Sequence, residues 1–239
     1  MSVLHSVAEG IATLTLNRPE SRNALNLEMC DRLIAVAREC FSDNEVKLVL
    51  VRANGPVFCA GADLKEREGM SEAQVRERRL KGFAAYAALE ALPMPVVAVL
   101  EGPAVGSGCE IAAACDFILA TPAASFRTPE ALRGTVGATQ RLPRILGKRL
   151  AKDLMFTGRT LSAEEAREAG LVSRLVSALE LEEVLSSIKG EIIKAPPGSL
   201  RLAKRCIDRG VELDPRGALE MEIAAIDEQL ASGSWMGKK

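Results

Sequence analysis

Two short turns rich in small residues, and two glutamates, are the parts of this 239-residue sequence that could carry out chemistry. The first turn spans residues 58–64 and the second spans 102–110, and each follows an apolar run typical of a strand. A turn between a strand and a helix leaves backbone N–H groups unpaired, so two such turns brought together would form an oxyanion hole. Glu110 lies just inside the second predicted helix, and Glu130 follows later in the chain. Oxyanion donors beside paired carboxylates suit proton transfer next to a carbonyl group.

The elements that would position these residues alternate between strands and helices. Strands are predicted where apolar runs of strand length occur, at 11–16, 47–53, 95–100 and 117–120. Helices are predicted where apolar residues recur at helical spacing or where small apolar residues cluster, at 27–41, 71–92 and 108–115. Strand signals fade after about Lys148, and the rest of the chain is typical of helices. The sequence therefore predicts an α/β portion, residues 1–147, followed by an all-helical region, residues 148–239.

The composition excludes several classes of function. A net charge of −1 favours neither nucleic acid nor an anionic membrane, and an aromatic content of 3% leaves little for stacking on bases. His5 is the single histidine and no cysteine pair has CxxC spacing, so no metal site is predicted. The six cysteines are interpreted as buried free thiols, and Cys109 as a small packing residue rather than a nucleophile, because no histidine is near it in sequence. With no leader pattern and no membrane-length apolar run, we predict a cytoplasmic location.

Six segments resemble, in the same order along the chain, the enoyl-CoA hydratase/isomerase or crotonase superfamily. They are residues 16–19 with 23–25, 58–64, 108–110, 115–116, 139–144 and 166–172. The resemblance implies a superhelix of ββα units with a C-terminal helical region that drives trimer formation. It also implies an acyl-CoA thioester as substrate and partner, and a homotrimer or a dimer of trimers. No metal or redox cofactor is implied, because CoA arrives with the substrate.

The resemblance assigns a role to each candidate catalytic residue. The oxyanion donors fall at Ala62 and Ser107, although the family usually has glycine where Ser107 stands. Glu110 would activate water, and Glu130 would transfer the proton at the α-carbon of an enoyl-CoA. Members that only shift a double bond commonly keep one of the two glutamates, so the presence of both favours a hydratase.

Further positions are expected to contact the substrate because they match the family's CoA-binding and acyl-binding segments. They are Arg22, Ala24, Ala60, Asp63, Leu64, Gly106 and Gly137. Arg22 could meet a CoA phosphate, whereas Asp63 is also interpreted as the N-cap of a helix beginning near Leu64. A minority interpretation has basic residues of the 72–79 segment meeting a phosphorylated ligand.

Two departures from the family pattern keep other functions open. The segment 134–142 lacks the family's proline and is shorter, which affects the loop that normally shapes the water and acyl pocket. The family usually continues with a segment that closes on CoA. Here either that lid is short, or Lys238 and Lys239 replace it, or the sequence stops before it. The alternatives are an enoyl-CoA isomerase and a non-catalytic CoA- or RNA-binding homologue, and the near-neutral charge argues against RNA.

Overall fold

The computed structural model describes residues 1–233. Within them the strands are β1 (Val3–Ala8), β2 (Ile11–Leu16), β3 (Leu48–Ala53), β4 (Val96–Leu100), β5 (Ala104–Val105), β6 (Phe117–Ala120), β7 (Ser125–Arg127), β8 (Thr160–Ser162) and β9 (Arg174–Leu175). The α-helices are α1 (Leu27–Ser42), α2 (Glu72–Glu90), α3 (Ser107–Ala113), α4 (Arg141–Thr157), α5 (Ala163–Glu168), α6 (Leu181–Lys194), α7 (Pro197–Gly210) and α8 (Pro215–Ser232). Short 3-10 turns occur at Pro19–Ser21, Lys65–Arg67 and Ala131–Arg133.

The strands form two sheets. The larger sheet has the order β1-β2-β3-β4-β6-β9, and the smaller has the order β5-β7-β8. In the larger sheet β1 is antiparallel to β2, and every other neighbouring pair is parallel. Parallel strands need cover on both faces, and β4 is accordingly buried at all of its positions. The prediction of an α/β chain is confirmed.

Helices cover both faces of the larger sheet. Successive side chains of a strand point to opposite faces, so Val49 and Val51 of β3 pack with α1 and α2. Leu48 and Leu50 point the other way, into a second apolar cluster that includes the buried residues of α6. The C-terminal region therefore contributes α6 to the core of the sheet as well as forming helices of its own.

The helices α1 and α2, which frame the turns, both begin at residues whose side chains cap the helix. Ser71 accepts a hydrogen bond from the N–H of Gln74, whose side chain bonds back to Ser71, so α2 begins with a complete capping box. Asn26 caps α1 by accepting a hydrogen bond of 2.9 Å from the N–H of Met29. These local signals fix where α1 and α2 begin.

The region 148–239 is mainly helical over the part that the structure describes, but it is not entirely so. Strands β8 and β9 lie within it and pair with β7 and β6 respectively. Strands of two or three residues are too short to leave an alternating pattern, which is why the sequence did not indicate them. Helix α4 also crosses the predicted boundary, and Gly147, at φ 74°, interrupts it there.

Helices α7 and α8 leave a large apolar surface uncovered in a single chain. Their exposed large apolar side chains are Ile207, Val211, Leu219, Ile223, Ile226 and Leu230. An apolar surface of this kind marks an interaction site, and closed symmetric association would cover it. We therefore predict a trimer or a dimer of trimers, measured by light scattering at micromolar concentration. A stable monomer under those conditions would contradict the prediction.

Candidate active site

The two turns identified in the sequence lie against each other. The N–H of Val105 donates to the carbonyl oxygen of Cys59 over 2.8 Å, and the N–H of Cys59 donates to the carbonyl oxygen of Pro103 over 3.2 Å. The close approach requires glycine at 108, because a Cβ atom there would lie 2.5 Å from the Cys59 carbonyl oxygen. The backbone of the first turn is thereby fixed beside the start of α3.

Both expected oxyanion donors, Ala62 and Ser107, line one cavity of about 380 Å³. Across residues 1–233, no backbone hydrogen bond outside the regular helices and strands is donated by the N–H of Ala62 or Ser107. Ser107 is the first residue of α3, so the positive end of that helix adds to its donor. Two free N–H groups facing one cavity can hold a developing oxyanion.

The first turn does not open an α-helix, which corrects one expectation. A 3-10 turn at Lys65–Arg67 follows Ala62, and α2 begins only at Glu72. Asp63 contacts this turn: its side chain accepts a hydrogen bond of 3.1 Å from the N–H of Lys65 and pairs with Arg18 at 2.9 Å. The structural interpretation of Asp63 therefore agrees with its contacts, but the N-cap of the 3-10 turn is Leu64 and not Asp63.

Glu110 and Glu130 face the same cavity from different elements. Glu110 lies on α3 and its side chain is 7% exposed, with Oε2 held 2.9 Å from Nη1 of Arg141. Glu130 follows β7 and precedes a 3-10 turn, and a Cβ atom on Gly106 would collide with its Oε1. Gly106 thus leaves the space that lets the carboxyl of Glu130 lie beside the N-terminus of α3.

The carboxyl of Glu130 is held where ionisation is disfavoured. Its Oε2 is buried and has no hydrogen-bond partner among the described residues. Burial raises the pKa of Glu130 above its usual 4.5, and the negative charge of Glu110 raises it further. Glu130 therefore keeps its proton more readily than a glutamate exposed to solvent does. The carboxylate of Glu110 is paired with Arg141.

The raised pKa of Glu130 has a consequence for stability. A carboxyl whose pKa is higher in the folded protein stabilises the fold when it is protonated, and this contribution is lost as the pH rises above 4.5. We expect Glu130→Gln to melt at a higher temperature than the wild type at neutral pH, by about 2–4 °C for each kcal/mol gained. The difference should shrink toward acidic pH in thermal unfolding followed by circular dichroism. A wild type that is more stable than the variant at neutral pH would contradict this account.

Arg141 holds Glu110 in place through a small network. Its guanidinium also pairs with Glu90 over 2.6 Å and lies 5.9 Å from the ring centroid of Tyr86. Tyr86 in turn shares a hydrogen bond with the side chain of Ser107, and burial raises the pKa of Tyr86. One network therefore joins a candidate base to the residue that supplies a candidate oxyanion donor.

We expect Arg141→Met to lower kcat by about 10-fold or more while KM changes little, because a buried carboxylate that loses its partner also loses its orientation. Arg141→Lys should recover part of the activity, because an ammonium group keeps the positive charge but cannot reproduce the contacts of the guanidinium with both Glu110 and Glu90. The matched control is Arg144→Met, which removes an ion pair to Glu212 that is exposed on both sides. Equal kcat values for Arg141→Met and Arg144→Met would show that Arg141 does not position Glu110.

The shortened loop after Glu130 is ordered by an arginine of α2. Arg79 donates a hydrogen bond of 2.8 Å to the side chain of Thr135 and another to the carbonyl oxygen of Val136. Gly137 lies against Glu130, because a Cβ atom there would come within 3.0 Å of Cγ of the glutamate. The short loop therefore forms a wall of the cavity instead of leaving it open.

The structure brings most of the predicted substrate-binding residues together. Ala60, Leu64, Gly106 and Gly137 line the cavity along with the donors and the glutamates. The lining does not include Arg22, Ala24 or Asp63. Arg22 is exposed, and its carbonyl oxygen accepts a hydrogen bond of 3.0 Å from the N–H of Ala60, which places it beside the cavity rather than in it. Lys238 and Lys239 lie outside the described residues.

Other cavity residues were not assigned from the sequence. They are Arg67, Arg78, Arg79, Phe83, Tyr86 and Arg133. The sequence did contain one signal, the basic run at 72–79, for which contact with a ligand was only the minority interpretation. Cys109 is buried, burial raises its pKa, and its thiol donates to the Ala104 carbonyl oxygen over 3.1 Å, so it packs as expected.

Comparison with known proteins gives the family. The family model described as enoyl-CoA hydratase/isomerase matches residues 6–234. The chain belongs to the enoyl-CoA hydratase/isomerase family. It is 37% identical over 222 residues to the short-chain-enoyl-CoA hydratase of Clostridium acetobutylicum, covering 91% of this chain and 85% of that protein. The recognition of this family from the sequence is confirmed.

Solved structures of the family share the fold. The enoyl-CoA hydratase from Bacillus anthracis superposes with a TM-score of 0.91 at 36% identity, covering 95% of this chain and 90% of that one. The enoyl-CoA hydratase from Mycobacterium smegmatis gives a TM-score of 0.92 at 30% identity, with coverages of 96% and 91%. The crotonase-like fold predicted from the sequence is therefore confirmed.

The relatives do not all come from one compartment. A mitochondrial protein of Bos taurus, enoyl-CoA hydratase domain-containing protein 2, is 41% identical over 224 residues, covering 90% of this chain and 75% of its own length. Within residues 1–233, no helix has the length and apolar character to cross a bilayer. The cytoplasmic location stays a prediction.

Proposed function

We propose that this member of the family is an enoyl-CoA hydratase, which adds water across the 2,3 double bond of an enoyl-CoA thioester. The observation that carries the proposal is the single cavity in which Glu110, Glu130 and the N–H groups of Ala62 and Ser107 meet. An isomerase needs to move one proton between two carbons of the substrate. A hydratase must in addition orient water and remove a proton from it, and a second carboxylate can perform this step.

The two glutamates differ in a way that suits hydration. Glu110 is a carboxylate paired with Arg141, so it can accept a proton from water while the hydroxide adds to the β-carbon. The electrons of the double bond move onto the thioester oxygen, where the N–H groups of Ala62 and Ser107 stabilise the enolate. Glu130, whose pKa is raised by burial, then delivers a proton to the α-carbon. The product is a 3-hydroxyacyl-CoA thioester. Glu110 then releases its proton and Glu130 takes one up by exchange with solvent, so the reaction consumes only the substrate and water.

A panel of enoyl-CoA thioesters of different chain lengths tests the proposal. Hydration removes the conjugated double bond, so its absorbance should fall with time for at least one member of the panel. Incorporation of solvent deuterium without loss of the double bond would indicate the isomerase instead. A chain that binds CoA thioesters without either change would be a non-catalytic member of the family.

A further inference from the structure

The cavity is unusually rich in arginine. Arg67, Arg78, Arg79 and Arg133 all line it, beside the two glutamates and the apolar side chains of Phe83 and Val136. Transfer of a guanidinium into a partly closed, low-dielectric cavity is unfavourable unless an anion accompanies it. We therefore asked which of these charges the protein itself neutralises.

Only one of the four arginines has a carboxylate partner among the described residues. Arg78 is 3% exposed and pairs with Glu66 over 2.6 Å. Arg79 donates to two uncharged acceptors of the 134–138 loop, so its positive charge is not neutralised.

Arg67 and Arg133 have no side-chain hydrogen bond and no ion pair with any residue in the described part of the chain. The Nε of Arg67 is buried without an acceptor. Burial and the charges of Arg78 and Arg79 lower the pKa of Arg67. A lowered pKa is expected where neighbouring positive charges are not balanced by a negative one. The partly buried guanidinium of Arg67 is thus left without an anion, whereas Arg133, which also has none, is exposed to solvent.

The glutamates of the cavity do not supply that anion. Glu110 is already bound to Arg141. Glu130 resists ionisation, and the positive charges near it include those of Arg133 and Arg79. Arg133 lies on the same loop as Glu130, Arg79 lies on α2 and donates to that loop, and Arg67 lies in the 3-10 turn that precedes α2.

The cavity that the arginines line also includes Ala60 and Leu64, two of the positions that the resemblance gives to the substrate. Arg22 and Ala24 do not line it, although the carbonyl oxygen of Arg22 accepts a hydrogen bond from the N–H of Ala60. Arg67, Arg79 and Arg133 share this cavity with Phe83, Val136 and Glu130, so the acyl group of a thioester held by Ala62 and Ser107 would lie in the same cavity as these positive charges.

We propose, on the basis of the proposed function, that the enoyl group carries a second carboxylate at the end remote from the thioester, and that Arg67 and Arg133 bind it. The substrate class is a CoA monothioester of an unsaturated dicarboxylic acid. A guanidinium and a carboxylate form a charge-assisted and often bidentate pair, which gives selectivity against an uncharged chain of equal length. The alternative source of an anion is a phosphate of CoA itself, and the experiment separates the two.

The kinetic test compares two thioesters of equal chain length, glutaconyl-CoA, which ends in a carboxylate, and pent-2-enoyl-CoA, which ends in a methyl group. The wild type should have a higher kcat/KM for glutaconyl-CoA. The ratio of the two kcat/KM values should fall roughly 10- to 100-fold in Arg67→Met and in Arg133→Met, because each variant removes a hydrogen bond to a charged group. Arg67→Lys should keep part of the preference. The matched control is Arg76→Met on the exposed side of α2, which should leave the ratio unchanged.

A binding test uses saturated thioesters that cannot be hydrated, so it is independent of the proposed reaction. By isothermal titration calorimetry, glutaryl-CoA should bind the wild type more tightly than pentanoyl-CoA, and Arg67→Met should remove the difference. Equal affinity of the wild type for both would overturn the inference. An equal weakening of free CoA and glutaryl-CoA in Arg67→Met would assign the arginine to a CoA phosphate and would also overturn it. If no enoyl thioester is hydrated but the preference for glutaryl-CoA depends on Arg67, the hydratase proposal fails and the carboxylate site stands.

Discussion

Glu110→Gln and Glu130→Gln should each lower the rate of enoyl-CoA hydration by about 10²–10⁴, the usual contribution of a general acid or base. Glutamine keeps the shape of the side chain but neither accepts nor delivers the proton. In Glu110→Gln the amide can no longer take a proton from water, and its contact with Arg141 loses the charge of the carboxylate. In Glu130→Gln the α-carbon loses its proton donor. KM should change far less than kcat in both, because neither change removes a contact that positions CoA.

The control for these variants is Glu212→Gln. Glu212 pairs with Arg144 on the surface, and both side chains are exposed, so its replacement should leave activity within a few-fold of wild type. Circular dichroism and thermal unfolding would establish that all three variants are folded. If Glu110→Gln and Glu130→Gln are as active as Glu212→Gln, the assigned carboxylates do not perform the chemistry.

Ser107→Pro should abolish most turnover, whereas Ser107→Gly should remain active. Proline has no backbone N–H, so the variant loses one of the two oxyanion donors, a loss of roughly 10²–10³ in kcat in a comparable site. Proline is well tolerated at the first position of a helix, which is where Ser107 lies in α3, so we expect the variant to fold. Glycine keeps the N–H and removes only the side chain, including its hydrogen bond with Tyr86.

The contrast between these two variants separates the backbone from the hydroxyl. If Ser107→Gly is as inactive as Ser107→Pro, the hydroxyl and its bond with Tyr86 are needed for the reaction. If a folded Ser107→Pro is fully active, the oxyanion is held elsewhere. Loss of the Tyr86 hydrogen bond alone should cost about 0.5–1.5 kcal/mol, which is less than a loss of the donor.

The catalytic frame was predictable because it rests on local rules. Both turns are built from small residues, so the segments 58–64 and 102–110 stand out in the sequence, although only the second opens an α-helix. Ser71 marks the start of α2 by its capping box. The meeting of Ala62, Ser107, Glu110 and Glu130 in one cavity follows from those turns once the family is recognised. Their roles in catalysis stay predictions until the variants are measured.

The side chains that shape the cavity could not be predicted, because tertiary contacts alone bring them there. Arg67 lies in a 3-10 turn, for which no repeating sequence pattern predicts the direction of a side chain. The sequence predicts an α-helix at this place, so it could not predict that Arg67 lines the cavity. Tyr86 is one of the buried residues of α2, and from the sequence it is typical of a core residue. Arg141 reaches Glu110 across a sequence separation of 31 residues, which no local pattern encodes.

The most direct test of hydration is to incubate the protein with an enoyl-CoA thioester in water enriched in oxygen-18 and to analyse the thioester by mass spectrometry. We predict one labelled oxygen in a 3-hydroxyacyl-CoA product, formed by the wild type and suppressed in both Glu110→Gln and Glu130→Gln. Rearranged enoyl-CoA without labelled oxygen would contradict the hydratase proposal and would assign the site to double-bond isomerisation.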